Sequence, residues 1–331
     1  MKDAVGKKQI IFGSLVFLEV AFFVFVFLSF SPMGSSISGS SVPVHTTLEV
    51  GAVFPEVLNV SVNDGNNIVL TPNSTTTVMC QALVQDWNND TDIYLVNATL
   101  YDINNATWDA ADDNNDHYSN SSCVIDLDTH DAFGKVEDDW HALVNCSFEV
   151  DYYANPGDWN CSVYVEDQTN RSNRGEDSGI IDELLAVGLP DTINYGIVNS
   201  TDVSDEQTVN VSNMGNVPLD ITLNGYADEL NKDDGKAMNC SKGSYQFIDV
   251  ENEKFNLTDT NPIVSDLTEF NTLYTNLTST LSPPVRQLDL YPRTDDLDPL
   301  SADAPTYWRI YVPKGVAGTC EGFIEFGAVR D

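Results

Sequence analysis

Oxygen-bearing side chains alternate along Asp86-x-Asn88-x-Asp90-x-Asp92. Such spacing offers a ligand at every second residue, as calcium loops do, because calcium takes about six to eight hard oxygen ligands. The loop is not an EF-hand: Thr91 stands where that loop needs Gly, and Asn97 where it needs the closing Glu. Acidic runs of the same kind recur at Asp112-Asp113-Asn114-Asn115-Asp116, at Asp126-Leu127-Asp128 and at Asp295-Asp296-Leu297-Asp298. A solvated acidic loop has this composition too. The 86–92 turn is the first choice for a structural calcium ion, since a loop at the end of a β-sandwich can gather carboxylates from its neighbours.

Enzyme signatures are missing. There is no H-E-x-x-H, no G-x-S-x-G, no phosphate loop and no dinucleotide fingerprint. His45, His117, His130 and His141 share no metal spacing. His130-Asp131, with Ser119, Ser121 and Ser122, has the residue types of a hydrolytic triad, but nothing in the spacing positions them. Tyr152, Tyr153, Tyr307 and Tyr311 have the chemistry to stack on sugars, though aromatics on strands more often pack a sheet face. No catalytic residue is expected, and the chain is read as non-enzymatic.

A second chemistry is covalent. Fourteen Asn-x-Ser/Thr triplets occur, at Asn59, Asn73, Asn89, Asn97, Asn105, Asn120, Asn145, Asn160, Asn170, Asn199, Asn210, Asn239, Asn256 and Asn276. That is well above random placement, and none precedes residue 59. Such triplets accept N-linked glycans only on chain that crosses a membrane. The crossing segment is Ile10–Phe30, almost continuously apolar and long enough to span a bilayer. Lys2, Lys7 and Lys8 precede it and no basic residue follows until Lys135, so the positive-inside rule keeps residues 1–9 cytoplasmic. The alternative is a cleaved signal, with small residues at Ser29 and Ser31. Glu19 inside this run opens a third reading, a pilin-like helix cut after Gly13. The partners expected are therefore the membrane, through the N-terminal helix, and further copies of the chain or other envelope proteins.

The charge narrows this further. There are 51 Asp and Glu against 15 Lys and Arg, a formal net charge of −36. Phosphate binding needs Lys and Arg, so no nucleic-acid partner is expected. Such a surface is hydrated and self-repelling, whether the habitat is saline or not. Six cysteines, Cys80, Cys123, Cys146, Cys161, Cys240 and Cys320, lie beyond the membrane run. An even number in that compartment reads as disulfides, and the absence of C-x-x-C argues against a metal–thiolate site.

The elements that must position these groups are strands. Apolar residues alternate at Val78-Cys80-Ala82-Val84, Cys161-Val163-Val165, Val209-Val211, Leu219-Ile221-Leu223 and Trp308-Ile310-Val312. Period-2 runs separated by Gly, Pro, Asn and Asp clusters predict β-sandwiches. Weak helical periodicity appears only near Ile180–Val187. The acceptors fit strands as well. Nine of the fourteen triplets carry an apolar or Cys middle residue: Val60, Ala98, Ala106, Cys146, Cys161, Val211, Cys240, Leu257 and Leu277. On a strand that residue faces the core while Asn and the hydroxyl residue face solvent. Asn97, between Val96 and Ala98, fits best.

The stretch Pro156-Gly157-Asp158-Trp159-Asn160-Cys161 resembles the approach to the second cysteine of an immunoglobulin-like domain, where Gly and an aromatic precede Cys. The resemblance implies an inter-sheet bridge from Cys80 to Cys161 and leaves Cys123 and Cys146 as a second pair; Cys240 and Cys320 remain for each other. The core Trp of such domains has no clear counterpart, because Trp87 comes early and Trp108 sits in polar surroundings. The chain as a whole is similar to secreted, anchored β-sandwich envelope glycoproteins of archaea. The similarity rests on Asp86-Trp87-Asn88 with Asp92-Ile93, on the approach to Cys161, and on Ser212–Ile221 and Trp308–Pro313. The turn Asn213-x-Gly215-Asn216 is also similar to fibre-forming matrix proteins, which makes the second domain surface-layer-like or appendage-like. These readings predict an all-β chain: an N-terminal transmembrane helix followed by two tandem β-sandwich (immunoglobulin-like) domains. The organisation expected is a cytoplasmic segment 1–9, the membrane helix 10–30, a Ser/Gly/Pro tether 31–50, a first sandwich 51–179 and a second 180–331. The function expected is a cell-surface structural or adhesive protein. The alternatives are a filament subunit built through the helix or by strand exchange, and a surface enzyme or solute-binding protein.

Overall fold

The structure is a computed structural model that describes residues 43–128, 133–134, 138–260, 267–280, 282, 285–294 and 302–330. The expected membrane helix, with Gly13 and Glu19, lies outside the described residues, as do His130, Asp131 and Asp295–Asp298. No helix among the described residues is long and apolar enough to cross a membrane. Residues 1–51 form one unit and 52–331 another. Of the first, only 43–51 are described, a largely exposed segment with neither helix nor strand.

Eight strands make the first sandwich: β1 (Glu56–Val62), β2 (Thr75–Gln85), β3 (Ile93–Asp102), β4 (His117–Asn120), β5 (Val124–Asp126), β6 (His141–Asp151), β7 (Gly157–Asp167) and β8 (Ser172–Ile181). One sheet runs β1-β2-β6-β5 and the other β4-β3-β7-β8, all antiparallel. This order matches the ABED/CFG strand order of immunoglobulin sandwiches, with β4 added beside β3. The period-2 runs explain it. Val78, Cys80, Ala82 and Val84 of β2 and Cys161, Val163 and Val165 of β7 are all fully buried, and they face one another across the core. Burying such side chains contributes about 1.5–3 kcal/mol each for the larger ones. No tryptophan lies on β3, where an immunoglobulin domain keeps its core Trp; the large aromatic of this core is Trp159 on β7, two residues before Cys161. It is 0% exposed, packs against Tyr118 at 6.0 Å between ring centroids, and donates Nε1 to the Asn155 carbonyl at 2.8 Å.

The second sandwich uses β9 (Val187–Gly188), β10 (Gln207–Asn213), β11 (Leu219–Tyr226), β12 (Lys236–Gly243), β13 (Phe247–Asp249), β14 (Glu253–Asn256), β15 (Thr275–Asn276), β16 (Val285–Leu290), β17 (Asp303–Ile310) and β18 (Val316–Arg330), with a short helix α1 (Leu267–Leu273). Its sheets run β15-β14-β17-β10-β9 and β13-β12-β18-β11-β16. In the first sandwich the strand beside β7 is β8, which follows it in the chain. Here the strand beside β18 is β12, which precedes it, drawn from a long insertion between β11 and β17. Trp308, also 0% exposed, centres this core between Phe255 and Phe326, each 5.6 Å away. The stretch Ile180–Val187 is not helical. Ile181 ends β8, Val187 starts β9, and the residues between them carry no regular structure. The apolar side chains there meet the two flanking cores separately, Ile181 and Leu184 the first and Val187 the second, so no helical face is needed.

The turn Asn213-Met214-Gly215-Asn216 joins the sandwiches. Asn216, 4% exposed, donates to the carbonyls of Ala154 (3.0 Å) and Asp182 (3.1 Å) and accepts from Leu184 N–H (2.7 Å). Asn213 is buried too. It holds its own turn by donating to Val217 and Leu290 carbonyls and accepting from Gly215 N–H. A Cβ on Gly215 would lie 2.0 Å from the Leu184 carbonyl oxygen, which explains the glycine.

Three disulfides close the structure. Cys80–Cys161 bridges the two sheets of the first sandwich. Cys123–Cys146 fastens the short edge strand β5 to β6. Cys240–Cys320 links directly opposed residues of β12 and β18.

Candidate metal centre

Two of the strand patterns run on for one polar residue. On β2 the inward series Cys80, Ala82, Val84 continues to Asp86, and on β7 the series Cys161, Val163, Val165 continues to Asp167. Both carboxylates are 0% exposed. With Asp92, each offers one oxygen, and these oxygens lie within 4.8 Å of one another. The two strand ends and the β2–β3 loop thus converge at one end of the first sandwich.

Each buried carboxylate spends one oxygen on its own loop. Asp86 Oδ1 accepts from Asn88 N–H at 2.8 Å. Asp167 Oδ1 accepts from Thr169 N–H, Thr169 Oγ1 and Arg171 N–H at 2.8–2.9 Å. The Oδ2 atom of each is buried with no hydrogen-bond partner. Two main-chain contacts brace the loops: Gln168 N–H to the Asp92 carbonyl and Asp86 N–H to the Trp140 carbonyl, both 2.9 Å. Burial pushes the Asp86 carboxyl above the usual range, and the charges of Asp92 and Asp167 push it further, against the Asn88 amide. Burial acts on Asp167 in the same sense but is outweighed by the Arg171 and Thr169 bonds, which hold its carboxyl below the usual range.

The ligand set therefore differs from the one read in sequence. Asp86 and Asp92 are in the cluster; Asn88 and Asp90 are not. Asn88 is exposed and its Oδ1 accepts from Val53 N–H at 2.7 Å. Asp90 is buried, and its N–H goes to the Asp139 carbonyl at 3.0 Å. The reason is local: Asp90–Asp92 form one turn of 3-10 helix, so alternate side chains no longer share a side. Asp167 was missed, although a carboxylate on the inward phase just past an apolar strand was the signal. Of the other acidic runs, Asp112 is taken by His117 Nδ1 (3.0 Å) and Ser119 Oγ (2.8 Å). Asp126 Oδ1 caps Asp128 N–H at 2.9 Å. His141 is likewise held by its neighbour Asp138 at 2.8 Å.

The acceptor asparagines can also be placed. None of the fourteen is buried, and eight are exposed. Of their nine apolar or Cys middle residues, Ala98, Cys146, Cys161, Val211, Cys240 and Leu277 are buried and the other three half-buried. Asn97 alternates with buried Val96 and Ala98 on β3.

A second buried acid lies in the other sandwich. Glu253, 2% exposed at the start of β14, accepts from Tyr195 Oη at 2.8 Å beside a cleft of about 380 Å³. Burial pushes its carboxyl up to about 7 against the Tyr195 bond, and burial with the Glu253 charge pushes the Tyr195 phenol well above its ordinary value.

No family model and no curated protein matches this chain. Several solved structures are similar. The CsuC-CsuE chaperone-tip adhesion subunit complex from Csu pili of Acinetobacter baumannii is 10% identical, with TM-score 0.36 over 82% of this chain and 99% of that one. The C-terminal domain of the antigen I/II-family protein AspA of Streptococcus pyogenes is 12% identical, with TM-score 0.22 over 84% and 96%. An alpha-2-macroglobulin mutant from Salmonella is 11% identical, with TM-score 0.25 over 82% and 16%. At such scores the function of this chain has to be read from its own residues.

Proposed function

We propose that this protein is an extracellular, N-glycosylated, non-enzymatic structural or adhesive component of the cell surface, anchored through its N-terminal apolar segment. The observation that carries this is the joint placement of disulfides and acceptors. All six cysteines are bridged between or within strands, and all fourteen acceptor asparagines reach the surface of the same sandwiches. Both features belong to chain exported to an oxidising compartment. The scarcity of basic residues agrees, since it leaves a hydrated surface with no footprint for nucleic acid. An immunoglobulin-like assignment of the first sandwich and a surface-layer or appendage kinship of the second belong to this proposal.

Assembly into a filament is a second reading, supported by one edge. Strand β10 pairs with β9 only at Ser212–Gly188 and Asn213–Val187. Among the described residues, no other strand pairs with that edge at Gln207–Val211, and an edge left open is where a strand from another copy can add. Native envelopes viewed by electron microscopy, with a label against residues 190–331, test both readings. Label at the cell surface with glycopeptides at the acceptor sites is expected; regular filaments would favour the second reading. Cytoplasmic label, free thiols and unmodified asparagines would overturn the proposal.

A further inference from the structure

We propose that Asp86, Asp92 and Asp167 bind a calcium ion that ties the β2–β3 loop to the turn between β7 and β8. Three oxygens within 4.8 Å of one another suit a shared ion, since two ligands about 2.4 Å from calcium can be no more than about 4.8 Å apart. The independent observation is the pair of Oδ2 atoms. Those of Asp86 and Asp167 belong to fully buried residues, have no partner, and sit on the carboxylates that compose the cluster. A buried carboxylate oxygen without a partner is costly, and here two sit on neighbouring carboxylates of one cluster. Their Oδ1 atoms already hold the loops, so each side chain is fixed with its second oxygen free to bind a ligand.

Among the described residues, the Arg171 charge reaches Asp167 but its guanidinium makes no bond to the carboxylate. Arg171 gives its backbone N–H to Asp167, while its guanidinium carbon lies 5.1 Å from the centroid of the Phe54 ring. The ligands are oxygen only, with no His or Cys in the cluster, which selects a hard ion over zinc or copper. Calcium is favoured over magnesium because it accepts irregular sets of carboxylates completed by water or main-chain carbonyls, whereas magnesium holds its own waters. The bound ion would stiffen the loop that carries the Asn89 acceptor and the exposed Trp87, whose ring lies 6.2 Å from that of Trp140.

The test uses the purified, oxidised full-length chain after chelator treatment. Terbium, a calcium surrogate, is titrated with excitation of tryptophan, and Trp87 next to Asp86 serves as the donor. Saturable emission that calcium displaces is expected, together with a rise in Tm of about 3–8 °C in about 10 mM calcium, for affinities typical of extracellular sites. Asp92→Asn and Asp167→Asn should each weaken binding about tenfold or more, by analogy with losses around other metal ligands. Asp64→Asn, on an exposed turn at φ 54°, is the control and should bind as the parent does. If Asp167→Asn fails to fold, Asp92→Asn, at the half-buried position, gives the answer alone. An unchanged Tm without saturable emission would overturn the site, and so would equal weakening in Asp92→Asn and Asp64→Asn.

Discussion

Replacing disulfides one at a time should rank the cross-links by the length of chain each one closes. Cys80–Cys161 spans 81 residues and Cys123–Cys146 spans 23. The chain-entropy relation gives about 4.5 kcal/mol for the longer loop and about 3.4 kcal/mol for the shorter, at 25 °C. The packing acts in the same direction. Cys80 and Cys161 are both 0% exposed in the core between the sheets, so alanines there also leave a void. Cys123 is half-buried at an edge strand, where the chain can relax. Cys80→Ala/Cys161→Ala should therefore cost more than Cys123→Ala/Cys146→Ala by at least about 1 kcal/mol. Urea unfolding followed by near-ultraviolet circular dichroism reads both, since Trp159 is fully buried in that sandwich. Equal losses, or a larger loss at Cys123–Cys146, would refute the reasoning and show that the bridges act through native-state contacts instead of the unfolded chain.

Glu253 makes stability depend on pH. Its folded value of about 7 lies above the ordinary 4.5, so the folded state holds the proton more tightly. The stability linked to it is then full below about 4.5 and falls as pH rises through 7, by up to about 3 kcal/mol. Glu253→Gln should flatten that fall in urea midpoints taken between pH 5 and 8, and an unchanged slope would count against the buried acid. Gly215→Ala should cost roughly 2–4 kcal/mol, because the added carbon meets the backbone of Leu184 and no flexible side chain. Asn216→Ala leaves one N–H and two carbonyls unpaired and should cost roughly 2–5 kcal/mol. Limited proteolysis between residues 182 and 186 should speed up in both variants, and cutting at the parent rate would show that the turn does not hold the sandwiches together.

What was legible in the sequence follows from what is local. Alternation at Val78–Val84 or Leu219–Leu223 reports a buried face directly, so the strands and their inward cysteines could be read residue by residue. The role of Asn216 could not, because its partner Ala154 lies far along the chain; Asp167 carries a local signal, the inward phase past an apolar run, but its meeting with Asp86 across the sandwich has none. Spacing alone nominated Asn88 and Asp90, but a single 3-10 turn broke the alternation it assumed. Trp159 shows the same limit. It was noticed as part of the approach to Cys161, yet only the packing of Tyr118 against it makes it the centre of the core. The insertion that brings β12 beside β18 is a matter of long-range pairing, for which period-2 patterns carry no address.

The placement of the bridges also sets how far the molecule can be stretched. The loops closed by Cys80–Cys161 and Cys240–Cys320 span 81 and 80 residues. Fully extended, each would add about 270 Å of contour at about 3.4 Å per residue, and the covalent cross-link removes all of it. In the surface role proposed above, shear would load the chain between its N-terminal and C-terminal ends. If a sandwich gave way under that load, the extension would stop after the unbridged segments, with Cys240 still joined to Cys320 on the neighbouring strand. The chain would lengthen by a fixed step that leaves out the bridged loop, and would refold when the force fell.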